Sequence, residues 1–484
     1  MIKYIILTIL LFSSIIGLSQ TLNLKKIEQI KFEPFNIGNL PSTESLAIGN
    51  ELYFIKTIKK RKGRGYKLIK YSSDLELLDS KKINIPFDLK KSKIIHFTFS
   101  NNKILVFTSF IEKQQKTKSI KMYSFDATSL AEIDEPKMIY KSKYKGVMKK
   151  ENRYYFSKSP NSKYLLICEN NYKPEQEREI GLIVLNKETE EIYTEKIKGG
   201  FGAYSMIQNV LITDSREIYI LRKRFITTNT SNIYYTAAHR KIEYYVHKIT
   251  KESKIKIRLS LEKSIRELYM NLNLSQIPFL MGFDFKKKYK GLVLIQTGKD
   301  DFENKNFTYN YINCTNDNNY ASLLKKPKKN RNHSRTMRPR NIFQKTNGNV
   351  VIIAEEGYRT SWGDANNYSY YHNNIIISEH QKNGEVVWSH IIEKYGNTSE
   401  NIPRNFSFFS FKNDLCLFYN NMDSKQKLYM THIDENGNIK TNTIFKNVYK
   451  TFPNKNIVVS GKEFLLLIQN KKYELELAKF QVSN

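Results

Sequence analysis

Short apolar and aromatic runs alternate with polar turn residues along the chain from Gln20 to its end. Runs of this composition are typical of β-strands. Eight runs are the most apolar of their stretch and follow a similar plan, beginning at a turn residue 48 to 75 residues after the one before. They lie at 50–55, 102–107, 162–167, 215–220, 290–295, 348–353, 413–418 and 461–466. A recurrence at this period predicts a fold built from repeated sheets.

A strand, a tight polar turn and another strand follow most of these runs. Asn383-Gly384 and Asn436-Gly437 occupy two of the turns, and Asn-Gly between alternating strands is a strong hairpin signal because both residues tolerate positive φ. One more short strand precedes each run. Each unit is therefore predicted to hold four antiparallel strands, A to D, with strand B the most apolar. Four-stranded antiparallel blades repeated around an axis form an all-β fold, the β-propeller.

The number of units predicts eight blades, with seven as the alternative if the fourth or the last unit is misread. The last unit lacks an outer strand, and the N-terminal run 22–32 alternates suitably to supply it. We therefore expect the N- and C-terminal strands to pair and close the ring, which removes open sheet edges. A pair of stacked sheets would not produce eight similar units.

The chain resembles secreted bacterial β-propeller repeat proteins over residues 22–484, on its strand pattern. The segment 383–388, Asn-Gly-Glu-Val-Val-Trp, is similar to the turn-plus-tryptophan element of such blades and occurs once in full form. Trp-Asp dipeptides and Gly-Gly doublets do not repeat from blade to blade. The resemblance therefore implies an architecture and no particular activity.

The first residues have the pattern of a secretory signal peptide. One lysine, Lys3, precedes an apolar run, and small residues stand at Gly17 and Ser19. The run is shorter than the ~20 residues that span a bilayer. We expect a signal peptide at 1–19, a propeller domain at 20–484, and export to the periplasm, the cell surface or the medium. No transmembrane segment is expected in the mature chain.

Charge and loop length point to one face of the predicted propeller. The chain has 79 Lys and Arg against 47 Asp and Glu, a net charge of +32. Segments 56–70 and 323–345 are rich in basic residues and contain no acidic one. We expect both segments to lie, with aromatic residues, on the face that carries the long B–C and D–A loops, where recognition commonly resides. The predicted ligand-binding residues are Arg61, Arg64, Arg331, Arg335, Arg338, Arg340 and Arg359 for charge, with Tyr358 and Trp362 for stacking.

Motifs of common catalytic sites are absent from the sequence. There is no Gly-x-Ser-x-Gly, His-Glu-x-x-His, Cys-x-x-Cys or phosphate-binding glycine loop. Three cysteines exclude a disulfide scaffold. No cofactor, no metal and no catalytic residue are predicted.

The leading hypothesis is a secreted, non-enzymatic binding or scaffold protein, expected to be a monomer. Its predicted partner is an anionic glycan, a phosphate-bearing envelope polymer or a protein, and no specific nucleic acid. The alternative is a glycan-active enzyme, a hydrolase or lyase, with carboxylates in the central funnel.

Overall fold

The computed structural model describes 24 stretches of the chain. They are 22–30, 45–60, 63–74, 76–85, 93–112, 114–143, 153–170, 179–198, 205–226, 241–261, 265–284, 291–298, 301–304, 307–313, 336–361, 368–394, 397–398, 406–411, 413–421, 427–445, 450–451, 457–460, 463–471 and 474–482. The predicted signal peptide lies outside them. Within them, no helix is long and apolar enough to cross a membrane.

After a first strand, β1 (Leu22–Ile30), the chain forms seven sheets of four antiparallel strands that pair in chain order. Sheet 1 holds β2 (Ser45–Ile48), β3 (Glu51–Lys60), β4 (Gly63–Ser72) and β5 (Leu77–Ile83). Sheet 2 holds β6 (Lys93–Ser100), β7 (Lys103–Glu112), β8 (Thr117–Asp126) and β9 (Lys137–Lys143). Sheet 3 holds β10 (Arg153–Lys158), β11 (Tyr164–Asn170), β12 (Glu179–Asn186) and β13 (Ile192–Lys198). Sheet 4 holds β14 (Ser205–Ile212), β15 (Ile218–Ile226), β16 (Lys241–Ile249) and β17 (Lys254–Arg258).

The remaining three sheets of this plan follow in the same way. Sheet 5 holds β18 (Ile265–Leu272), β19 (Pro278–Asp284), β20 (Gly291–Gln296) and β21 (Thr308–Asn313), with a short helix α1 (Asp301–Asn304) before β21. Sheet 6 holds β22 (Thr336–Gln344), β23 (Val350–Ser361), β24 (Tyr368–His380) and β25 (Val386–Ile392), and β26 (Asn397–Thr398) pairs with β24. Sheet 7 holds β27 (Phe406–Phe411), β28 (Asp414–Asn421), β29 (Lys427–Ile433) and β30 (Ile439–Phe445). Seven sheets of this kind are consistent with a β-propeller.

The strands at the two ends of the chain form a further sheet of different composition, the terminal sheet. It contains β31 (Lys450–Thr451), β32 (Ile457–Ser460), β33 (Glu463–Lys471) and β34 (Glu474–Val482) together with β1. β1 runs antiparallel to β34, with Leu22 opposite Val482 and Ile30 opposite Leu475. The N-terminal run therefore pairs with the last strand of the chain. The terminal sheet is not counted among the seven sheets because its strands do not pair in chain order.

In sheets 3 to 5 the second strand is apolar on both faces because it packs against a neighbouring sheet on each side. In β7, Ile104, Leu105, Val106 and Phe107 are all fully buried. Separate apolar clusters join sheets 2 and 3, 3 and 4, 4 and 5, and 5 and 6. Consecutive sheets therefore stack face to face, as blades do.

The first strands of consecutive sheets lie side by side. β14 neighbours β18, and β18 neighbours β22. The Asn209 amide in β14 donates a hydrogen bond to the Met270 carbonyl in β18, and the Asn271 amide donates in turn to the Ile342 carbonyl in β22. These repeated links make strand A the innermost strand of sheets 4, 5 and 6.

The chain divides into two compact units. Residues 85–403 contain sheets 2 to 6, and residues 1–84 with 404–484 contain sheets 1 and 7 and the terminal sheet. Within the second of these, β2 lies beside β32 and β28 beside β31. The Lys479 ammonium in β34 is 3.4 Å from the Asp74 carboxylate in the turn after β4.

Sheet 5 corrects three details of the sequence interpretation. The apolar run 290–295 is strand C, β20, and strand B is β19, whose Pro278 and Gly282 weaken its sequence pattern. The predicted loop 260–280 contains strand A, β18. Segment 299–306, predicted as a B–C loop, is a C–D connection in which fully buried Phe302 packs 5.1 Å from the Tyr219 ring.

Candidate functional site

The two ends of the sheets differ in their connections. At one end, the long-loop end, strand B leads into strand C and strand D leads to the next sheet. At the other end, the short-turn end, A joins B and C joins D. Two of the predicted long B–C loops are largely strand: β3 and β4 leave only residues 61–62 between them, and β23 and β24 leave 362–367. Cross-strand pairs such as Lys59–Arg64 and Arg359–Tyr370 continue the ladder into these hairpins.

The structure describes only part of the predicted ligand-binding set. Arg61, Arg331, Arg335 and Trp362 lie outside the described residues. Arg64 lies in β4, and Tyr358 and Arg359 lie in the outer half of β23, where the strands but not these side chains are described. Arg338 and Arg340 lie in β22, a strand, although the sequence placed them in a loop. Tyr358 and Arg359 therefore share one sheet with Arg338 and Arg340.

Arg340 belongs to a buried ionic cluster and is not an exposed loop residue. The ladder between β22 and β23 shifts register between Pro339 and Asn341, a bulge of the kind that re-aims a side chain. The Arg340 guanidinium lies on the Glu355 carboxylate, with 3.0 Å from Nε to Oε2. Lys394 donates to the other Glu355 oxygen, and the side chains of Lys394 and Glu355 are fully buried. Burial lowers the pKa of Lys394 although Glu355 opposes that shift.

Sheet 4 has a related cluster at the same end, but its arginines reach solvent. The Glu243 carboxylate in β16 accepts from Arg258 Nη2 at 2.7 Å, and Arg224 Nη1 is 3.8 Å away. Glu243 is 8% exposed, whereas the side chains of Arg224 and Arg258 are 39% and 57% exposed. The Tyr245 hydroxyl also donates to Glu243, at 2.8 Å. A buried carboxylate thus orients two exposed guanidinium groups, which are suited to bind anionic oxygens.

A third cluster lies between sheets 2 and 3. Lys118 Nζ is 2.6 Å from Glu169 Oε1, and the two side chains are 2% and 0% exposed. Lys118 and Lys93 lie over the Tyr154 ring, 4.2 Å and 5.7 Å from its centroid. Burial lowers the pKa of both lysines, and burial followed by the Glu169 charge raises that of Tyr154. Here one cation, Lys118, pairs with the carboxylate, and Lys93 lies over the same aromatic ring.

Three ion pairs at the short-turn end of sheets 2, 3 and 6 each join one cation to one carboxylate. Lys103 lies 3.1 Å from Glu190, Lys163 lies 2.8 Å from Glu188, and Lys345 lies 2.6 Å from Glu379. In sheet 4, Lys248 lies 3.4 Å from Glu217 and 4.0 Å from Glu303, so acids outnumber the cation there. At the long-loop end one pair, Lys223 with Glu267 at 3.1 Å, is also one to one. Among these ion pairs, a carboxylate shared by two basic side chains occurs at the long-loop end, in sheets 4 and 6.

The sequence analysis missed Arg224, Arg258 and Glu243. The feature that brings these three residues together is the cross-strand register. Arg224 lies opposite Glu243, and Tyr245 lies opposite Arg258. That register depends on the length of the connection from 227 to 240, which sequence patterns do not define. Once strands β15, β16 and β17 are aligned, the three charged residues fall on one face.

The described residues contain no group of three or more His, Cys, Asp or Glu side chains arranged to hold a metal ion. His380, which the sequence places near His390, is buried and forms hydrogen bonds with the Ser378 hydroxyl at 2.8 Å and the Gly384 carbonyl at 3.2 Å. Cys168 and Cys416 are buried thiols, and burial raises the pKa of both. The side chains of His380, Cys168 and Cys416 therefore lie in the protein interior.

No protein-family model matches the chain, and no curated protein matches it. Its neighbours among solved structures include the WD40 domain of SCAP from fission yeast, 11% identical, with 95% of this chain and 98% of that chain covered and a TM-score of 0.41. The β-propeller domain of the Trilobed protease from Pyrococcus furiosus is 11% identical, with 82% and 96% covered and a TM-score of 0.36. The polysaccharide lyase Uly1 is 8% identical, with 95% and 100% covered and a TM-score of 0.42. Such likenesses concern the fold alone, and the description as a β-propeller rests on the sheets of this chain.

Proposed function

We propose that the protein is an exported β-propeller that binds an anionic polymer through the long-loop end of its sheets. The observation that carries this proposal is a carboxylate with two cationic partners at that end in sheets 4 and 6. In sheet 4 the two cations, Arg224 and Arg258, are also exposed. Oriented guanidinium groups bind sulfate, phosphate and carboxylate oxygens in a bidentate manner. A net charge of +32 attracts such a polymer from a distance.

The same proposal includes the number of blades and the closure of the ring. The terminal sheet is an eighth blade, with β32 as its inner strand, and the pairing of β1 with β34 closes the ring of a monomer. The adjacency of β2 and β32 supports this arrangement. We include the predicted residues Arg61, Arg64, Arg331, Arg335, Arg338 and Arg359, with Tyr358 and Trp362, in the proposed anion-binding set.

The test measures binding of dextran sulfate and sodium polyphosphate, with uncharged dextran as the control polymer, at increasing concentrations of NaCl. Affinity should fall steeply with salt, because each ionic contact with a polyanion releases a counterion. The variants Arg224→Ala/Arg258→Ala and Arg335→Ala/Arg338→Ala should each lower the affinity and reduce the log–log salt slope by about one per lost contact.

The matched control is Lys163→Ala/Lys251→Ala, which removes the same net charge from the short-turn end. Affinity that does not respond to salt, or that falls as much in this control, would contradict the proposal. Release of fragments from a sulfated polysaccharide would instead favour the alternative, a glycan-active enzyme.

A further inference from the structure

A cavity of about 420 Å³ lies between sheets 5 and 6 at the short-turn end. Its floor is apolar, formed by Phe279 in β19 and Val350 in β23, which belong to the buried cluster between these sheets. Its walls come from the A–B turn of sheet 5, the end of β20 and the turns of sheet 6. The volume lies within the range typical of small-molecule sites.

The amide side chains that line this cavity are held by the backbone. Asn273 Oδ1 accepts from the Ile277 amide at 2.8 Å, so its Nδ2 is the end left to donate. Gln296 Nε2 donates to the Lys382 carbonyl at 3.2 Å, so its Oε1 is the end left to accept. Gln344 is held at both ends, accepting from the Leu274 amide at 3.2 Å and donating to the Gly348 carbonyl at 3.1 Å. The polar walls are therefore oriented before a ligand binds.

Gly348 shapes the rim of the cavity. Its φ of +87° is a conformation that glycine adopts without strain. A Cβ at this position would lie 2.8 Å from Cε of Lys382, so the absence of a side chain allows the lysine stem to cross the glycine. Lys382 therefore brings its ammonium to the cavity from an exposed C–D turn.

The lining chemistry differs from that of the long-loop end. Amides and the hydroxyls of Ser275 and Thr297 dominate, Lys382 is the one cation, and no Asp or Glu is among the described residues that line the cavity. A site for a polyanion needs several cations, whereas donors and acceptors above an apolar floor suit a sugar ring, which has adjacent hydroxyls around an apolar C–H surface.

We propose that this cavity binds one sugar ring of a polysaccharide chain, as a site separate from the anion-binding end. The ring packs on Phe279 and Val350, its hydroxyls accept from Asn273 and donate to Gln296, and Lys382 accommodates a carboxylate where the sugar has one. The inference does not rest on the proposed function, because its residues lie at the opposite end of the sheets and its binding forces are not ionic.

The test measures binding of cellohexaose, xylohexaose, mannohexaose, chitohexaose and hexagalacturonate to the full chain by calorimetry. At least one should bind, and Gln296→Ala should weaken it about tenfold. Ser275→Trp, at an exposed turn position, should abolish binding by filling the cavity without disturbing the core. Gln115→Ala, at the tip of the β7–β8 hairpin at the long-loop end, is the matched control and should bind as the wild type does.

Binding of the uncharged hexasaccharides should be unchanged in 0.5 M NaCl (a high-salt condition, about a 4 Å screening length) and in Arg224→Ala/Arg258→Ala. If hexagalacturonate binds best, Lys382→Ala should remove its advantage over the uncharged sugars. Binding of none of the five, or equal binding by Ser275→Trp, would overturn the inference. Loss of dextran sulfate binding with retention of the hexasaccharide would show that the two sites fail separately.

Discussion

The buried carboxylates Glu355 and Glu379, at the two ends of sheet 6, have different numbers of cationic partners. At the long-loop end, Glu355 meets two cations, Arg340 and Lys394. At the short-turn end, Glu379 meets one cation, Lys345, at 2.6 Å, and accepts from the Asn349 amide at 2.7 Å. Both carboxylates are buried, so the difference lies in the number of cations that each one holds. Next to Glu355, the buried Glu356 accepts from the Asn374 amide at 3.4 Å.

The largest effect should come from removing the two carboxylates in turn. Glu355→Gln leaves two cations buried without their counter-charge, so we expect a loss of about 3–5 kcal/mol in the free energy of unfolding. Glu379→Gln leaves one buried cation, Lys345, beside the Asn349 amide, and its loss of unfolding free energy should lie at the low end of that range. Urea denaturation of both variants measures the difference.

A second substitution that removes the unpaired lysine tests this comparison further. Lys345→Met added to Glu379→Gln replaces the pair with uncharged side chains and should recover most of the loss. Lys394→Met added to Glu355→Gln should recover less, because Arg340 keeps its charge. Equal recovery at the two ends would contradict the difference in charge balance.

The next effect concerns His247, which lies in the middle of sheet 4 on the face that carries Arg222 and Lys256. Burial, and then the charges of Arg222 and Lys256, lower the pKa of His247 to about 3. The unfolded chain therefore takes up a proton near pH 6.5, while the folded chain does not until near pH 3. Stability should fall as the pH decreases through that window, by about 1.4 kcal/mol per pH unit.

The measurement is the free energy of unfolding of the wild type and of His247→Asn at several pH values between 7 and 4 (a range set by the reference His pKa of ~6.5). The difference between the two proteins isolates the histidine from carboxylates that titrate in the same range. A constant difference across the window would show that His247 titrates alike in the folded and the unfolded chain, and would contradict the lowered pKa.

A smaller effect, on the binding of dextran sulfate, distinguishes the orientation of Arg224 and Arg258 from the net charge of the long-loop end. Glu243→Gln makes the chain more positive by one unit, so general attraction alone would strengthen its binding to dextran sulfate. If Glu243 orients Arg224 and Arg258, the same change should weaken binding, by about threefold, since part of a charge-assisted hydrogen bond is lost. Anisotropy titrations of labelled polymer decide the sign, and Glu252→Gln at the short-turn end is the control for charge alone.

Much of the fold could be predicted because each blade repeats one pattern in the sequence. Strand B of sheets 2, 3 and 6 lies where its apolar run begins, and the Asn-Gly turn at 383–384 joins strands C and D as expected. In sheet 5 the sequence pattern predicts the wrong strand as strand B, because its strand C is more apolar than its strand B. Both strands are buried between neighbouring sheets, so their composition does not show which one is strand B.

The site was less predictable because it depends on register and on local bulges. Arg340 sits at a bulge after Pro339, and its guanidinium reaches Glu355 only because the ladder shifts there. Arg258 lies more than thirty positions from Arg224, and the two come together through a connection whose length carries no pattern. The basic segment 323–345 does not reveal that Arg340 is held by a buried carboxylate.

The smallest expected effect comes from an exposed pair at the short-turn end. Lys163 and Glu188 are 2.8 Å apart, but their side chains are 33% and 62% exposed. Solvent and salt screen such pairs, and ordering two long side chains offsets most of the attraction. Lys163→Ala should therefore leave the free energy of unfolding nearly unchanged, and any difference should disappear at 1 M NaCl, where the screening length is about 3 Å. A loss comparable to that of Glu355→Gln would mean that exposure does not distinguish the two classes of ion pair, and the contrast between the ends would have to rest on position alone.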